Sequence, residues 1–214
     1  MARFLKDNGL TLAFFGLFLI CIGGQAISGY ALQAEDPAGQ SRSSGLIAYL
    51  ADPSFLKGVF SNWQAALLQL LVLIVFSVFL RQRGASHSRK PDDEAGAQHP
   101  GPGAPDQVGR PHSWTYANGL SLAFLALFLL AFAAFFFANA ASYNADRSRR
   151  GEAALDLAQS LVSADLWFQT FQTWQAEFFA MGMFLLLSIY LRQDGSAESK
   201  RLTARDDETG AVNE

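Results

Sequence analysis

Asn8-Gly9-Leu10-Thr11-Leu12-Ala13-Phe14-Phe15-Gly16-Leu17-Phe18-Leu19 is the stretch that decides the fold, because the chain writes it twice. It returns as Asn118-Gly119-Leu120-Ser121-Leu122-Ala123-Phe124-Leu125-Ala126-Leu127-Phe128-Leu129, with nine of twelve residues identical. Further along, Trp63-Gln64-Ala65 returns as Trp174-Gln175-Ala176, and Leu80-Arg81-Gln82 as Leu191-Arg192-Gln193. The offset is 110 residues for the first block and 111 for the later ones, so the copies differ by one inserted residue. Self-similarity at a fixed offset sets the architecture before any other reading. Each copy is an apolar span, a polar loop of about thirty residues and a second apolar span.

Composition says what kind of span this is. Half of the 214 residues are hydrophobic, 19 are Phe, and only 16% are charged, against about 25% in an ordinary soluble domain. Crossing a bilayer takes about 20 mostly apolar residues, with a lower limit near 17. Residues 10–27 and 120–138 reach that length without a charge. Residues 65–80 carry one interior Gln and reach it with Trp63 and Gln64 at the headgroups; residues 178–191 need 174–177 as their interfacial end. A soluble four-helix bundle is excluded because the Phe-rich span has no polar face to turn to water. Arg3 and Lys6 ahead of the first span imitate a signal peptide, but the internal twin at Leu120 cannot be one, so both copies are expected to span. Cys21 is the sole cysteine, which excludes an intrachain disulfide and a cysteine-based metal site.

The distribution of basic residues gives orientation. Eleven Lys and Arg (Arg3, Lys6, Arg81, Arg83, Arg89, Lys90, Arg110, Arg192, Lys200, Arg201, Arg205) lie at the termini and in the central linker. Five (Arg42, Lys57, Arg147, Arg149, Arg150) lie in the two intra-repeat loops. The positive-inside rule then places both termini and the linker in the cytoplasm, and the repeats are parallel rather than inverted. The expected fold is an all-α integral membrane protein: four transmembrane helices as two tandem, parallel helical-hairpin repeats, with short extracytoplasmic interfacial helices. Its parts are a first two-span repeat (1–83), a disordered Pro/Gly-rich cytoplasmic linker (84–112), a second repeat (113–193) and a disordered cytoplasmic tail (194–214). The linker holds five of the seven prolines and has no hydrophobic period, the composition of a segment that cannot bury enough apolar surface to order itself.

The outer loops carry helix signals. Ser43-Ser44 is expected to cap a short helix over 46–50, and Asp52-Pro53 to open a longer one as N-cap and first helical residue. In the second copy a short helix is expected over 152–162, followed by one capped by Ser163 or Asp165. Trp63, Trp114, Trp167 and Trp174 are expected as interfacial anchors, since indoles favour headgroup depth.

Helices in lipid associate through small residues that let backbones approach. Gly9, Ala13, Gly16 and Gly23, matched by Gly119, Ala123, Ala126 and Ala133, are therefore the expected packing seam. Polar side chains at membrane depth are costly unless paired or hydrated; Glu177, Gln69, Gln25 and Asn139 are the candidates for an outward-facing polar site. Catalytic readings find little support. His87, His99 and His112 all fall in the linker without metal-ligand spacing, Ser61, Ser77 and Ser188 have no neighbouring His, and no phosphate loop follows a strand. No enzyme, cofactor or nucleic-acid partner is expected. The short basic clusters beside the spans suit anionic lipid headgroups, and a homo-oligomer is compatible with the packing seam.

Arg3-x-Leu5-x-Asp7-Asn8-Gly9-Leu10, Phe171-x-x-Trp174-Gln175-x-Glu177-Phe178 and Leu191-Arg192-Gln193-x-Gly195-Ser196-x-Glu198-Ser199-Lys200 together resemble a family of uncharacterised bacterial membrane proteins. That family is a domain of unknown function made of a duplicated two-span unit. The resemblance covers nearly the whole chain and implies a bacterial cytoplasmic (inner) membrane location, but no activity. The first copy departs from it: Ala66 stands where the second has Glu177, and Gly84-Ala85-Ser86-His87-Ser88 where the second has Gly195-Ser196-Ala197-Glu198-Ser199. The function expected is a non-enzymatic envelope-associated interaction or accessory role. The alternative is a small oligomeric transporter or channel with its polar site around Glu177.

Overall fold

The computed structural model describes residues 2–35, 43–88 and 113–210. The expected disordered linker beyond Ser88, with His99 and His112, lies outside the described residues. Every element among them is helical: α1 (Ala2–Asp7), α2 (Gly9–Glu35), α3 (Leu46–Leu50), α4 (Pro53–Phe79), α5 (Trp114–Ala117), α6 (Gly119–Arg149), α7 (Leu157–Leu161) and α8 (Ala164–Tyr190). Three helices are long and apolar enough to cross a membrane, over Gly9–Gln33, Pro53–Phe79 and Gly119–Arg149. Large apolar side chains such as Phe14, Phe15, Leu17, Leu19 and Ile20 are exposed, as expected of a surface whose solvent is lipid. α8 is as long as α4, but its first half carries Asp165, Gln169, Thr170, Gln172, Thr173, Gln175 and Glu177.

The duplicated Asn-Gly element has one local structure in both copies. A short helix ends at Asn8 or Asn118, and its side-chain amide donates back to the carbonyl of Phe4 (3.0 Å) or Trp114 (2.9 Å). The Asn backbone carbonyl then accepts the N–H of Leu12 or Leu122 as the first bond of the long helix. Asp52 caps α4 as expected, accepting from Ser54 N at 2.8 Å, which answers one of the orphan donors at a helix start.

The chain divides into two compact units. The first comprises residues 1–61 and 132–166. Its core joins Ala26, Tyr49, Phe55 and Val59, with Ile22, Tyr30 and Leu56 packed against them. The Tyr49 ring lies 5.4 Å from Phe55 and 6.1 Å from Tyr30, and its hydroxyl occupies the place a Cβ on Gly29 would take. Burial, and next the Asp52 charge, push the Tyr49 phenol above its ordinary value. In the same unit Phe135 and Leu166 are fully buried.

The second-copy loop differs from its expectation. The short helix is only Leu157–Leu161, because Asp156 and Gln159 form a reciprocal capping box that starts it there. Residues 152–155 are pinned instead as coil: Asn144 bonds both backbone groups of Leu155 (2.8 and 2.9 Å), and Arg147 donates to Ala153 O. Ser163, one of the two expected caps, accepts Leu166 N at 3.3 Å. In the first copy Gly45 takes the N-cap position of α3 without a side-chain bond, not Ser43 or Ser44.

The residues of the expected packing seam are not packed within their own units. Gly9, Ala13, Gly119, Ala123, Ala126 and Ala133 are exposed, Gly16 and Gly23 half-buried, and a Cβ on any of the four glycines would meet nothing within 4 Å. α2 buries a different row, Ile22, Ala26 and Gly29, because Tyr49 of α3 presses there.

Candidate functional site

The second unit comprises residues 62–131 and 167–214, and it contains the densest polar structure among the described residues. Two loops of the same design build it. After α4, Gln82 N donates to Ser88 Oγ at 2.8 Å; after α8, Gln193 N donates to Ser199 Oγ at 2.8 Å. Ala85 N donates to Gln82 O and Ser196 N to Gln193 O, both at 3.2 Å. Gly84 and Gly195 hold equivalent positions at φ 85° and 73°, the left-handed region that an L side chain enters at a cost of roughly 1–2 kcal/mol. Arg81 and Arg192 turn back onto the last carbonyls of their own helices: Arg81 to Ser77, Val78 and Leu80, Arg192 to Ile189 and Leu191. Cations placed there satisfy orphan carbonyls and oppose the negative end of the helix dipole.

The tail after Asp194, expected to be disordered, is folded through Gly210 and closes over the first loop. Gly84 N donates to Thr209 Oγ1 (2.8 Å), and Gly210 N to Ala85 O (3.1 Å). Arg192 Nη2 reaches Ala204 O and Asp206 Oδ1, each at 3.0 Å. At the centre Lys200 is 2% exposed, and its Nζ donates to the carbonyls of Arg205, Asp206 and Glu208 at 3.1–3.2 Å. These three bonds exhaust the donors of an ammonium. Burial, and next the charge of Arg192, lower the Lys200 pKa; Asp206, Glu208 and Asp207 oppose the shift. Exposed Asp207 is held below the usual carboxylate range, first by the hydrogen bond from Arg205.

Where the loops diverge in sequence, their side chains meet. His87 and Glu198 sit at equivalent positions, 111 residues apart, and His87 Nε2 bonds Glu198 Oε2. Ser86 Oγ lies 2.9 Å from His87 Nδ1 and 2.8 Å from Glu198 O; Phe184 packs on the imidazole with ring centroids 5.0 Å apart. Ser86 is 3% exposed, and its hydroxyl lies within hydrogen-bond reach of both the ring nitrogen and a carbonyl that can only accept.

Between α4 and α8 this unit holds a second network that the sequence reading missed. Trp174, expected as an interfacial anchor, is half-buried and donates its indole N–H to Gln64 Oε1 at 2.7 Å. Gln64 Nε2 in turn donates to Thr173 Oγ1 (3.3 Å), and the Thr173 hydroxyl goes back to its own helix. Gln64 and Thr170 are fully buried. Trp63, Trp114 and Trp167 are exposed, Trp167 lying 5.6 Å from the Phe171 ring.

The four candidates for a polar intramembrane site divide two and two. In the first unit Asn139 is buried and donates to Asp165 Oδ2 at 3.0 Å; Lys57 Nζ stands 3.9 Å from the same oxygen. Gln25 is exposed, with its Nε2 in the space beside Gly58. In the second, Gln69 is buried with Nε2 lacking a partner, and Glu177 is half-buried. A cavity of about 350 Å³ in this unit is lined by Leu71, Val72, Val75, Phe76, Trp114, Asn118, Ser121, Leu122 and Leu125. Neither Gln69 nor Glu177 is among them. No group of three or more His, Cys, Asp or Glu with the geometry to hold a metal occurs among the described residues.

No curated protein and no solved structure matches the chain. A match does come at the level of the family, and it runs through both loops and nearly to the end of the folded tail. Over residues 1–211 the chain belongs to the family described as a domain of unknown function, DUF6766.

Proposed function

We propose that the chain is a non-enzymatic, four-span protein of the bacterial inner membrane, N-in and C-in, that serves as an accessory protein through its folded tail cap. The architecture proposed is two tandem helical-hairpin repeats with α8 as the fourth span. Its 27 residues give about 40 Å of helix at 1.5 Å per residue, enough for a 30 Å core with only its first two turns at the outer headgroups. The observation that carries the reading is the cap. Residues 193–210 are tied to the ends of α4 and α8 by side-chain hydrogen bonds. The cap also displays an exposed charged rim, Arg83, Asp207 and Glu198 among it, while Arg81 and Arg192 are spent on helix-end carbonyls.

The test is purification from native membranes in mild detergent, with mass spectrometry of what co-purifies in stoichiometric amount. A defined protein partner is expected, and it is lost from a Gly84→Ala variant that still inserts. Recovery of lipid and further copies of the chain alone overturns the reading. One observation favours a second reading, a small oligomeric transporter: the unpartnered buried amide of Gln69. Its signature is a solute flux in proteoliposomes that both Gln69→Leu and Glu177→Gln abolish.

A further inference from the structure

We infer that the loop after α8 is a second docking seat, of the same design as the one the tail occupies on the loop after α4, and that it takes the acidic segment 92–96 of the linker. The tail element Asp206-Asp207-Glu208-Thr209-Gly210-Ala211 is itself written twice: it matches Asp92-Asp93-Glu94-Ala95-Gly96-Ala97 at five of six positions. Each follows a serine and two basic residues, Ser88-Arg89-Lys90 and Ser199-Lys200-Arg201. The first copy is three residues shorter between the basic pair and the acids. The duplication therefore runs on past the two loops, into the very residues that sit on Gly84.

On the loop after α4 the recognition is made by main-chain groups, which any loop of the same shape presents. Gly84 N donates to Thr209 Oγ1 at 2.8 Å, Gly210 N donates to Ala85 O at 3.1 Å, and Asp206 O rests where a Cβ on Gly84 would stand. Gly84, Ala85 and Ser86 are buried beneath these contacts. The loop after α8 repeats the positive-φ glycine and carries the counterpart groups, Gly195 N and Ser196 O. Among the described residues that side is open: Gly195 is exposed, and a Cβ on it meets nothing within 4 Å. A cavity of about 440 Å³ is lined there by residues within 193–203. Reach and charge choose the occupant. The loops touch at Ser86 Oγ and Glu198 O, 2.8 Å apart, and Glu198 is three residues from Gly195. Seven residues from Ser88 to Ala95 extend up to about 25 Å, enough to bring Ala95 to Gly195. Three acids, Asp92, Asp93 and Glu94, would meet a lining that carries Lys200 and Arg201 against the single acid Asp194. Two contacts are not repeated. Ala95 replaces Thr209, the acceptor for the glycine N–H, and Asp194 replaces Arg83, which faces Asp207 at 3.6 Å. The second seat is therefore the weaker one.

The experiment uses the full chain in lipid nanodiscs, with Cys21→Ser and a nitroxide on Ala97→Cys, next to the acidic segment. Electron paramagnetic resonance should resolve an immobile fraction in this parent. Ala95→Thr restores the hydroxyl and should raise the immobile-to-mobile ratio about two- to tenfold, the effect of one hydrogen bond. Asp194→Arg restores the cation and should raise it about two- to fivefold, as an exposed ion pair does. Gly195→Ala should release this nitroxide and Gly84→Ala should not, the reverse of their effects on the tail. A nitroxide that is mobile in the parent and unmoved by Ala95→Thr and Asp194→Arg overturns the seat, as does an immobile fraction that survives Gly195→Ala. Immobilisation that vanishes when each disc holds a single chain would give the groove to a second copy and overturn its assignment to the chain's own linker. No protein partner enters the measurement, so this inference and the accessory reading fail separately.

Discussion

The loop after α4 and the loop after α8 have the same backbone and different duties. Both close a Gln N–H on a Ser Oγ at 2.8 Å and both turn at a positive-φ glycine. Around Gly195 there is open space, whereas a Cβ on Gly84 would strike the Asp206 carbonyl and lie 3.0 Å from the Ile189 side chain. One loop is a turn; the other is a turn and a seat for the tail. Local sequence therefore sets the shape of each loop. What each supports is set by the few positions where the copies disagree and by a tail that only the second copy can supply.

Glycine to alanine is the sharpest way to break that comparison. Gly84→Ala adds about 1–2 kcal/mol for the left-handed backbone and about 1–3 kcal/mol for overpacking against backbone that cannot move aside. It should release the tail, read by electron paramagnetic resonance as a larger mobile fraction of a nitroxide on Thr203→Cys, an exposed tail position, in a Cys21→Ser background. Gly195→Ala costs the backbone term alone and should leave the tail closed. Equal release by both would mean that the seat at Gly84 does not hold the tail.

Lys200 comes next. Replacing it with Met leaves three carbonyls without their donor, and a buried unsatisfied group costs about 1–3 kcal/mol, offset in part because an ammonium no longer has to be desolvated. A net loss of about 1–3 kcal/mol of tail closure is expected, read as a larger mobile fraction, with Gln82–Ser88 unchanged by backbone amide exchange. Smaller still, Ser88→Ala and Ser199→Ala should each cost about 0.5–1.5 kcal/mol. Near-equal effects would sharpen the claim of one design; a gap above about 1 kcal/mol would break it.

Much of this design was legible in the chain. The Asn8 and Asn118 elements, the Asp52-Pro53 start and the shared Leu-Arg-Gln helix ends are local, and local hydrogen bonds realise them. The cap was not, because its order comes from contacts such as Gly84 with Thr209, 125 residues apart, in a segment whose composition is that of a solvated tail. A signal was present: the mismatch at equivalent positions 87 and 198 pairs a base with an acid. The row that α2 buries within its own unit was hidden for a related reason: Tyr49, reaching in from another helix, decides that face, and not the glycine spacing at 9, 16 and 23. The Gln64–Trp174 bond was equally hidden, since both residues belong to a duplicated Trp-Gln motif that reads the same at an interface or within a core.

The last prediction follows the Lys200 anchor through pH. A lysine whose folded-state pKa is lowered binds fewer protons folded than unfolded, in the window between that lowered value and the ordinary 10.5. Closure therefore strengthens as pH rises through that window. The mobile fraction of the Thr203 nitroxide should accordingly fall as pH rises through that window, before the folded state itself is lost, and Lys200→Met should remove the dependence. The effect is the smallest of those predicted, because Asp206, Glu208 and Asp207 offset part of the shift. A Lys200→Met variant that keeps the same profile would mean that the buried ammonium is not what couples tail closure to pH, and its place as the anchor of the second loop would have to be abandoned.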